Sequence, residues 1–351
     1  MIRITRLPHK PPSEDYYSLH VEDQPPRPEE NHKDDEPRGL LLMVASLVLF
    51  STTMLLNRVI LQALPIDAVN LFMYSSAVQV LVSEALRRGV YREQMDHFLS
   101  NRRAVGLIVV RQLFSVAGWL ALTYLSSQLP IGYIQLNQNA IPIVTAAIGF
   151  FFLNEVVSRL ETIALFVCFS VISATGAYKV YQSEDSHGNY SLTNILLCLL
   201  SVATFSAINV IGRLLKGFHF SVLCTAQFVL NVAFSLVIAV FVCESLFIPR
   251  DLYSLALVVA LGLSRTFSTL LFVKACQLAK SQRLATLNYA QSLFGYSIDV
   301  FIYKYSLTWV ELVAVVTVLG TGAITFIQTH REHAETKDSL KQPLLEPATS
   351  K

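Results

Sequence analysis

The sequence predicts an all-α integral membrane protein with ten transmembrane helices, arranged as two inverted five-helix repeats. Three observations support this fold class: the composition, the distribution of charge, and the similarity between the two halves. Of the 351 residues, 53% are hydrophobic and only 15% are charged, whereas about a quarter of the residues in a soluble domain are charged. The mean hydropathy is +0.49. The few charges crowd into the two ends and several short loops, which leaves long apolar segments between them.

Ten apolar segments have the length and composition expected of helices that cross a bilayer. We number them spans 1 to 10, with limits near 39–61, 66–86, 104–124, 130–153, 160–181, 191–212, 219–243, 252–275, 284–303 and 308–328. Most connections are short, so neighbouring spans run antiparallel. The chain then divides into a polar tail, two five-helix repeats and a second tail, at 1–38, 39–181, 191–328 and 329–351.

Charge placement predicts the orientation of the chain. Residues 1–38 contain seven prolines and nine acidic residues without an apolar core, which excludes a signal peptide and predicts a disordered tail. Most Lys and Arg residues of the short loops follow even-numbered spans. Because these residues concentrate on the cytosolic side, we expect both termini in the cytosol, at the plasma membrane or an endomembrane. The Asn189 sequon then lies on the outer side as a glycosylation candidate.

The two halves of the chain are similar in sequence. Span 5 begins LETIA at residue 160 and span 10 begins VELVA at residue 310, an offset of 150 residues. Span 5 reaches ATGA at 174–177, and span 10 reaches GTGA at 320–323. The segment RQLFS from Arg111 in span 3 is similar to RTFST from Arg265 in span 8. Because each half has an odd number of spans, the second copy enters the membrane from the opposite side. Inverted repeats occur in many secondary transporters, with the binding site at the repeat interface near mid-membrane.

Short motifs in the first half resemble a known family. They resemble the helix 4–5 signature of the drug/metabolite transporter superfamily, EamA type. The motifs are AIP at 140–142, FFFLNE at 150–155, Glu161 and Gly176. NYAQ at 288–291 resembles the helix 9 region of its solute carrier 35 branch. The second repeat departs from the signature, since Tyr305 stands where the glutamate of FFFLNE would align. The resemblance covers residues 39–328 and implies a central cavity lined by spans 1, 3, 4, 6, 8 and 9.

Span 4 contains polar residues in the middle of an apolar segment. Gln135, Gln138, Asn139 and Pro142 fall on one helical face at 100° per residue. Polar groups without partners are costly in hydrocarbon, so this face must point into protein or water. We therefore predict that Gln135, Gln138 and Asn139 bind the substrate.

Two arginines lie inside predicted membrane helices, Arg111 in span 3 and Arg265 in span 8. Such charges usually face the bundle interior, and we expect this pair to converge on a central volume. An arginine pair suits a carboxylate or phosphate, which it can bind through bidentate hydrogen bonds. The alternatives are that Arg111 extends to the cytosolic interface, or that each arginine pairs with an acidic residue and only ties helices together.

Span 9 has a matching polar face. Asn288, Gln291, Ser292, Gly295 and Asp299 follow one another at helical spacing. Because both repeats have such a face, we predict that Asn288, Gln291 and Asp299 belong to the substrate site. The alternative is hydrogen bonding between helices, which polar residues often provide in membrane bundles. Asp299 could bind a proton, pair with an arginine, or act as a charge at the outer interface.

Patterns typical of other function classes do not occur in the sequence. There is no GxSxG, HExxH or phosphate-binding loop, so we predict no enzyme activity and no cofactor. The five cysteines lie in apolar segments without the spacing of metal ligands. No basic arm indicates nucleic acid. The expected partners are a small-molecule substrate and membrane lipid, and the sequence leaves a homodimer open.

These observations favour a secondary transporter that moves a small polar, anionic organic solute by alternating access. The alternative is a membrane regulator or adaptor that transports nothing and acts through its cytosolic tails.

Deletion of residues 1–38 distinguishes these two functions. A transporter should keep its flux, because the predicted site lies in the spans, whereas an adaptor that acts through this tail should lose its function. Flux into vesicles that contain equal amounts of full-length and shortened protein is the measurement. Loss of flux at unchanged protein amount would contradict the transporter hypothesis.

Overall fold

A computed structural model describes residues 32–86, 91–142, 144–145, 147–148, 159–184, 191–215, 218, 220–243, 249, 251–278, 287–321 and 323–324. The regular secondary structure of these residues is helical, and no strand occurs among them. The helices are α1 (His32–Ala63), α2 (Ala68–Leu86), α3 (Tyr91–Ser100), α4 (Arg102–Gln128), α5 (Ile131–Gln138), α6 (Arg159–Glu184), α7 (Leu192–Leu214), α8 (Phe220–Val242), α9 (Leu252–Leu278), α10 (Gln291–Phe301) and α11 (Trp309–Thr321).

Among the described residues, five stretches are long and apolar enough to cross a membrane. They are Pro37–Ala63, Arg102–Gln128, Leu192–Gly212, Val222–Val242 and Leu252–Ala275. These stretches coincide with predicted spans 1, 3, 6, 7 and 8. Spans 2, 4, 5, 9 and 10 contain α2, α5, α6, α10 and α11, which do not meet the same length and hydropathy limits within the described residues. The sequon at Asn189 and the glutamate at 155 lie outside the described residues.

The basic loop between spans 2 and 3 contains a helix that the apolar pattern did not predict. This helix, α3, buries Phe98 in a cluster with Ile108 and Leu215. The Phe98 ring meets the Phe218 ring edge to face, with 5.1 Å between the ring centroids. Since the helix has only 10 residues and buries one face, it lacks the long apolar run from which spans were recognised.

Side chains cap the first turns of several described helices. Asn101 accepts the Ala104 N–H at the start of α4, and Asp251 accepts the Ser254 N–H at 2.8 Å at the start of α9. This backbone bond, with a second bond from the Ser254 hydroxyl, holds the pKa of Asp251 below its ordinary value. At α11, Glu311 accepts the Thr308 N–H at 2.9 Å, which forms a capping box. Glu311 therefore caps the start of α11.

The helices of the two halves pack in matching pairs. α1 packs along α9 and α4 packs along α7, while α2 packs on α8 and α5 packs on α10. Hydroxyl groups connect α1 to α9: the Ser46 Oγ donates to the Ser268 carbonyl at 2.9 Å, and the Ser268 Oγ donates to the Ser46 carbonyl at 3.0 Å. Such reciprocal bonds need close helix contact, which small side chains permit.

Span 4 was predicted as one helix over 130–153, and the structure corrects this. α5 ends at Gln138 and a turn occupies residues 139–140. The Ala140 N–H bonds the Asn137 carbonyl at 3.0 Å, three residues back instead of four. Pro142 explains the turn, because proline has no N–H for the Gln138 carbonyl and its ring crowds that carbonyl.

Span 9 is interrupted in the same place, 150 residues later. A turn at residues 289–290 separates Leu287 and Asn288 from α10. The Ala290 N–H bonds the Leu287 carbonyl at 2.9 Å, again three residues back. No proline lies near this turn, so its local sequence does not explain it as Pro142 explains the first.

Two glycines allow α5 and α10 to touch. A Cβ added to Gly295 would collide with Gln135 Oε1 and would lie 2.9 Å from Gly132 Cα. A Cβ added to Gly132 would collide with the Tyr296 ring. The backbones of the two helices therefore approach more closely than any larger residue permits.

We predict that Gly295→Ala lowers the free energy of unfolding by about 1–3 kcal/mol, the usual cost of overpacking. Gly106→Ala in α4 is the matched control, because a Cβ there meets nothing within 4 Å. The control should be neutral or stabilising by about 0.5–1 kcal/mol through helix propensity. Thermal unfolding in detergent measures both variants, and equal effects would contradict the close contact.

Candidate functional site

The polar side chains of α5 and of the turn that follows it reach three other helices. Gln135 Nε2 donates to Ser51 Oγ of α1 at 2.9 Å, and Gln138 Nε2 donates to Ser201 Oγ of α7 at 2.7 Å. Asn139 Nδ2 donates to Ser292 Oγ of α10 at 3.2 Å. All three predicted residues are buried, with at most 4% of each exposed. The predicted polar face therefore points into protein and joins helices from both halves of the chain.

The two helix interruptions meet. Asn139, at the turn after α5, donates to the Tyr289 carbonyl at the turn before α10, at 3.5 Å. Ser206 of α7 donates to the Ile141 carbonyl at 3.2 Å. Asn139 Oδ1 is buried without a hydrogen-bond partner, so this junction retains one unused acceptor. Backbone groups freed at the turns thus find partners in other helices, as polar groups at membrane depth require.

Arg265 lies in an aromatic box formed by α2 and α4. Its guanidinium carbon is 4.3 Å from the Phe72 ring centroid and 4.1 Å from the Trp119 ring centroid. Its NH1 donates to Ser75 Oγ at 3.0 Å, whereas its NH2 is buried without a partner. Only 3% of the residue is exposed. No carboxylate of the described residues pairs with it.

Arg111, the repeat partner of Arg265, is held by amides. Its NH1 donates to Gln227 Oε1 of α8 at 2.8 Å. The adjacent Gln112 donates to the Gln227 carbonyl at 2.8 Å and to Asn231 Oδ1 at 3.0 Å. The Nε of Arg111 is buried without a hydrogen-bond partner. The arginine is thus part of an uncharged network that ties α4 to α8.

The two arginines do not form one pair in this structure. Each arginine bonds to the second helix of the opposite half. Arg111 bonds to Gln227 of α8, and Arg265 bonds to Ser75 of α2. Trp119, which stacks on Arg265, follows Arg111 by eight residues, about 12 Å along α4 at 1.5 Å per residue.

The predicted residues of span 9 occupy three different environments. Asn288 precedes the turn and is half-buried, while Gln291 begins α10 and is 8% exposed. Asp299 is fully buried near the end of α10, where it accepts two backbone N–H groups of α5 and lies 3.7 Å from the Arg58 guanidinium. Of the alternatives for Asp299, the structure shows a pairing with an arginine.

Sequence reasoning missed the partners of these residues. Ser51, Ser201 and Ser292 are common residue types in membrane helices, and which of them meets an amide depends on helix rotation. Phe72 and Trp119 gave no signal, because a lone aromatic residue in an apolar span indicates core packing in the first place. Their role is visible only where α2, α4 and α9 come together.

A separate cavity of about 470 Å³ lies between α5, α6 and α7. Its lining is mostly apolar, with Asn137 and Ser173 among its few polar residues. None of the eight residues predicted to bind substrate lines it. Asn137 points away from the face of Gln135 and Gln138, and Ala140 of the first turn also lines the cavity. The cavity therefore borders the first helix interruption on the side opposite the predicted polar face.

The fold and its buried polar groups define a multi-pass, all-helical membrane protein in which two interrupted helices meet. Residues 37–176 match the model of the EamA-like transporter family, whose members are multi-pass membrane transporters and not enzymes. The comparison with curated proteins gives no match. One crystal structure of a protein aligns with 84% of this chain and 99% of its own, at 17% identity and a TM-score of 0.57. This likeness shows the fold alone.

We predict that Arg111→Met is more destabilising than Arg265→Met. The first change leaves the Gln227 carboxamide unpaired in the α4–α8 network and should cost about 1–3 kcal/mol. The second removes an unpaired desolvated charge, which offsets the lost stacking, so the change should stay within about 1 kcal/mol. Thermal unfolding of both variants is the measurement. The opposite order would contradict a structural role for Arg111.

Proposed function

We propose that the chain is a secondary transporter that moves a small polar, anionic organic solute by alternating access. We further propose that it belongs to the EamA transporter family, similar to its solute carrier 35 branch, and contains two inverted five-helix repeats. The family match to residues 37–176 supports the first repeat. Residues beyond this match enter the proposal through packing and through the sequence similarity between the halves.

The observation that carries the proposal is the contact between two interrupted helices, α5 and α10. Each interruption frees backbone groups and places polar side chains beside them. Interrupted helices at the interface of two repeats mark the substrate site in many secondary transporters. From Ile131 to the turn, α5 is about 12 Å long at 1.5 Å per residue. This is close to half of a bilayer core of about 30 Å.

The packing supports a repeat that is inverted. The two turns lie 150 residues apart and show the same three-residue hydrogen bond, at Ala140 and at Ala290. In the repeat, α1 corresponds to α7 and α4 corresponds to α9. The packed pair α1–α9 of one half therefore matches the packed pair α7–α4 of the other. Arg111 and Arg265 also make equivalent contacts, each with the second helix of the other half. Two copies related by a pseudo-two-fold axis would produce this pattern.

The preference for an anion rests on Arg265. A guanidinium that is buried and lacks a carboxylate partner is costly, and an anionic solute would supply the missing charge. Two aromatic rings pack on the guanidinium and NH1 bonds Ser75, so NH2, which has no hydrogen-bond partner, is the group that would bind the solute. Gln135, Gln138, Asn139, Asn288 and Gln291 would hold the uncharged polar groups of the solute. Arg111 contributes positive potential from the α8 side.

Both termini in the cytosol, and a location in the plasma membrane or an endomembrane, remain parts of the proposal. They rest on the Lys and Arg distribution of the loops. Membrane lipid surrounds the exposed apolar faces of the helices, and a homodimer is compatible with them.

Uptake into proteoliposomes tests the proposal. Purified protein is reconstituted and given a mixed pool of labelled metabolites that includes carboxylates, phosphate esters, neutral polar solutes and amines. We expect uptake of an anionic member by the wild type and a loss of at least about tenfold in Arg265→Gln, because one charge-assisted hydrogen bond is worth about 1.5–3 kcal/mol. Arg103→Gln, at an exposed arginine near the start of α4, is the matched control and should transport normally.

Three outcomes would contradict parts of the proposal. Uptake of only neutral or cationic solutes would contradict the anionic preference and keep transport. Equal uptake by wild type and Arg265→Gln would remove Arg265 from the site. No uptake of any solute by folded protein would contradict transport and favour the regulator that acts through its tails.

A further inference from the structure

Three helix ends meet at Asp299. Its carboxylate is fully buried near the end of α10. It accepts the Ile131 N–H at 3.1 Å and the Gly132 N–H at 2.6 Å, the first two amides of α5. The first amides of a helix have no acceptor within their own helix, so Asp299 supplies what α5 lacks. A negative charge at this position also interacts favourably with the helix dipole.

Arg58, near the end of α1, completes this cluster. Its NH1 lies 3.7 Å from Asp299 Oδ1 and donates to the Leu129 carbonyl at 3.5 Å. Its guanidinium carbon is 4.2 Å from the centroid of the Tyr303 ring. Arg58 thus touches the segment before α5 and the segment after α10. One ion pair therefore holds α1, α5 and α10 together at one end of the bundle.

The cluster lies opposite the helix interruptions. α5 and α10 run antiparallel. The start of α5 contacts the end of α10, and Asn139, just after α5, contacts the turn before α10. Gln135 and Gln138 follow Gly132 by three and six residues on the same short helix. Whatever fixes the first turn of α5 therefore fixes the direction in which these amides point.

We propose that Asp299 and Arg58 form a latch that closes this end of the bundle and positions α5. The inference rests on the proposed transport function, because it identifies the contacts that must separate when the site opens toward that end. In this assignment Asp299 is a positioning residue and not a ligand of the solute. Separation of α10 from α5 leaves two amides without acceptors until water reaches them, so opening and hydration occur together.

Hydrogen exchange of the α5 amides tests the latch without any transported solute. In the wild type, the amides of Ile131 and Gly132 should be protected, although no acceptor exists for them within α5. Asp299→Asn removes the charge and directs an amide donor at one of these N–H groups. We expect exchange in the peptide that contains both residues to accelerate about tenfold or more.

Asp251→Asn is the matched control. Asp251 also caps a helix through a backbone N–H, that of Ser254, but it is exposed, and its hydrogen bonds with the described residues stay within α9. This variant should accelerate exchange only at the start of α9. Unchanged protection of Ile131 and Gly132 in Asp299→Asn would overturn the latch.

One-sided labelling separates a latch from a static cap. Ser51 is buried, bonds Gln135, and precedes Arg58 by seven residues, about 10 Å along α1. In a chain whose five native cysteines are replaced, Ser51→Cys reports water access through its reaction with a membrane-impermeant maleimide. Asp299→Asn and Arg58→Gln should each increase labelling from the latch side alone, and Arg58→Lys should do so less.

The labelling outcomes also separate this inference from the proposed function. Labelling that rises equally from both sides, together with a lower melting temperature, would reduce Asp299 to a structural cap and overturn the latch. Protected amides and one-sided labelling in a protein that takes up no solute would support the latch and contradict transport. Uptake of a solute, without any effect of Asp299→Asn on hydrogen exchange or labelling, would support transport and contradict the latch.

Discussion

A helix that breaks inside hydrocarbon frees backbone groups that water cannot reach, and this chain satisfies them by bringing two breaks together. The Tyr289 carbonyl at the second turn accepts the amide of Asn139 at the first, and Ser206 of α7 donates to the Ile141 carbonyl. Neither turn would be stable alone at membrane depth. The mutual contact of α5 and α10 is therefore the constraint to which the surrounding helices conform.

Close approach of backbones makes this contact possible. At Gly132 and Gly295 the crossing has no room for a Cβ, and at α1 and α9 paired serine hydroxyls donate to carbonyls of the opposite helix. Hydrophobic burial does not drive helix association in lipid, so packing of small residues and hydrogen bonds between helices must do so. The polar residues that form the proposed site are thus the same residues that hold the bundle together.

The arginines illustrate how one residue type can have two roles in a repeat. Arg111 lies in an amide network that accepts its hydrogen bonds, and we expect its removal to disturb mainly the structure. Arg265 packs against two aromatic rings, and its NH2 has no hydrogen-bond partner. A buried positive group that lacks a counter-charge is unfavourable, and the anionic solute of our proposal would supply that counter-charge.

The sequence by itself determined that the chain is helical and membrane-embedded, because long apolar segments admit no other structure in lipid. It also located the polar faces of α5 and α10, since helical periodicity decides which residues share a face. Pro142 was visible in the sequence, yet the turn before α10 has no proline and was not predicted. Tertiary structure alone decided that the two turns meet, that Asp299 pairs with Arg58, and that the arginines lie apart. Those outcomes depend on how each helix is rotated and crossed against its neighbours, which periodicity within one helix does not specify.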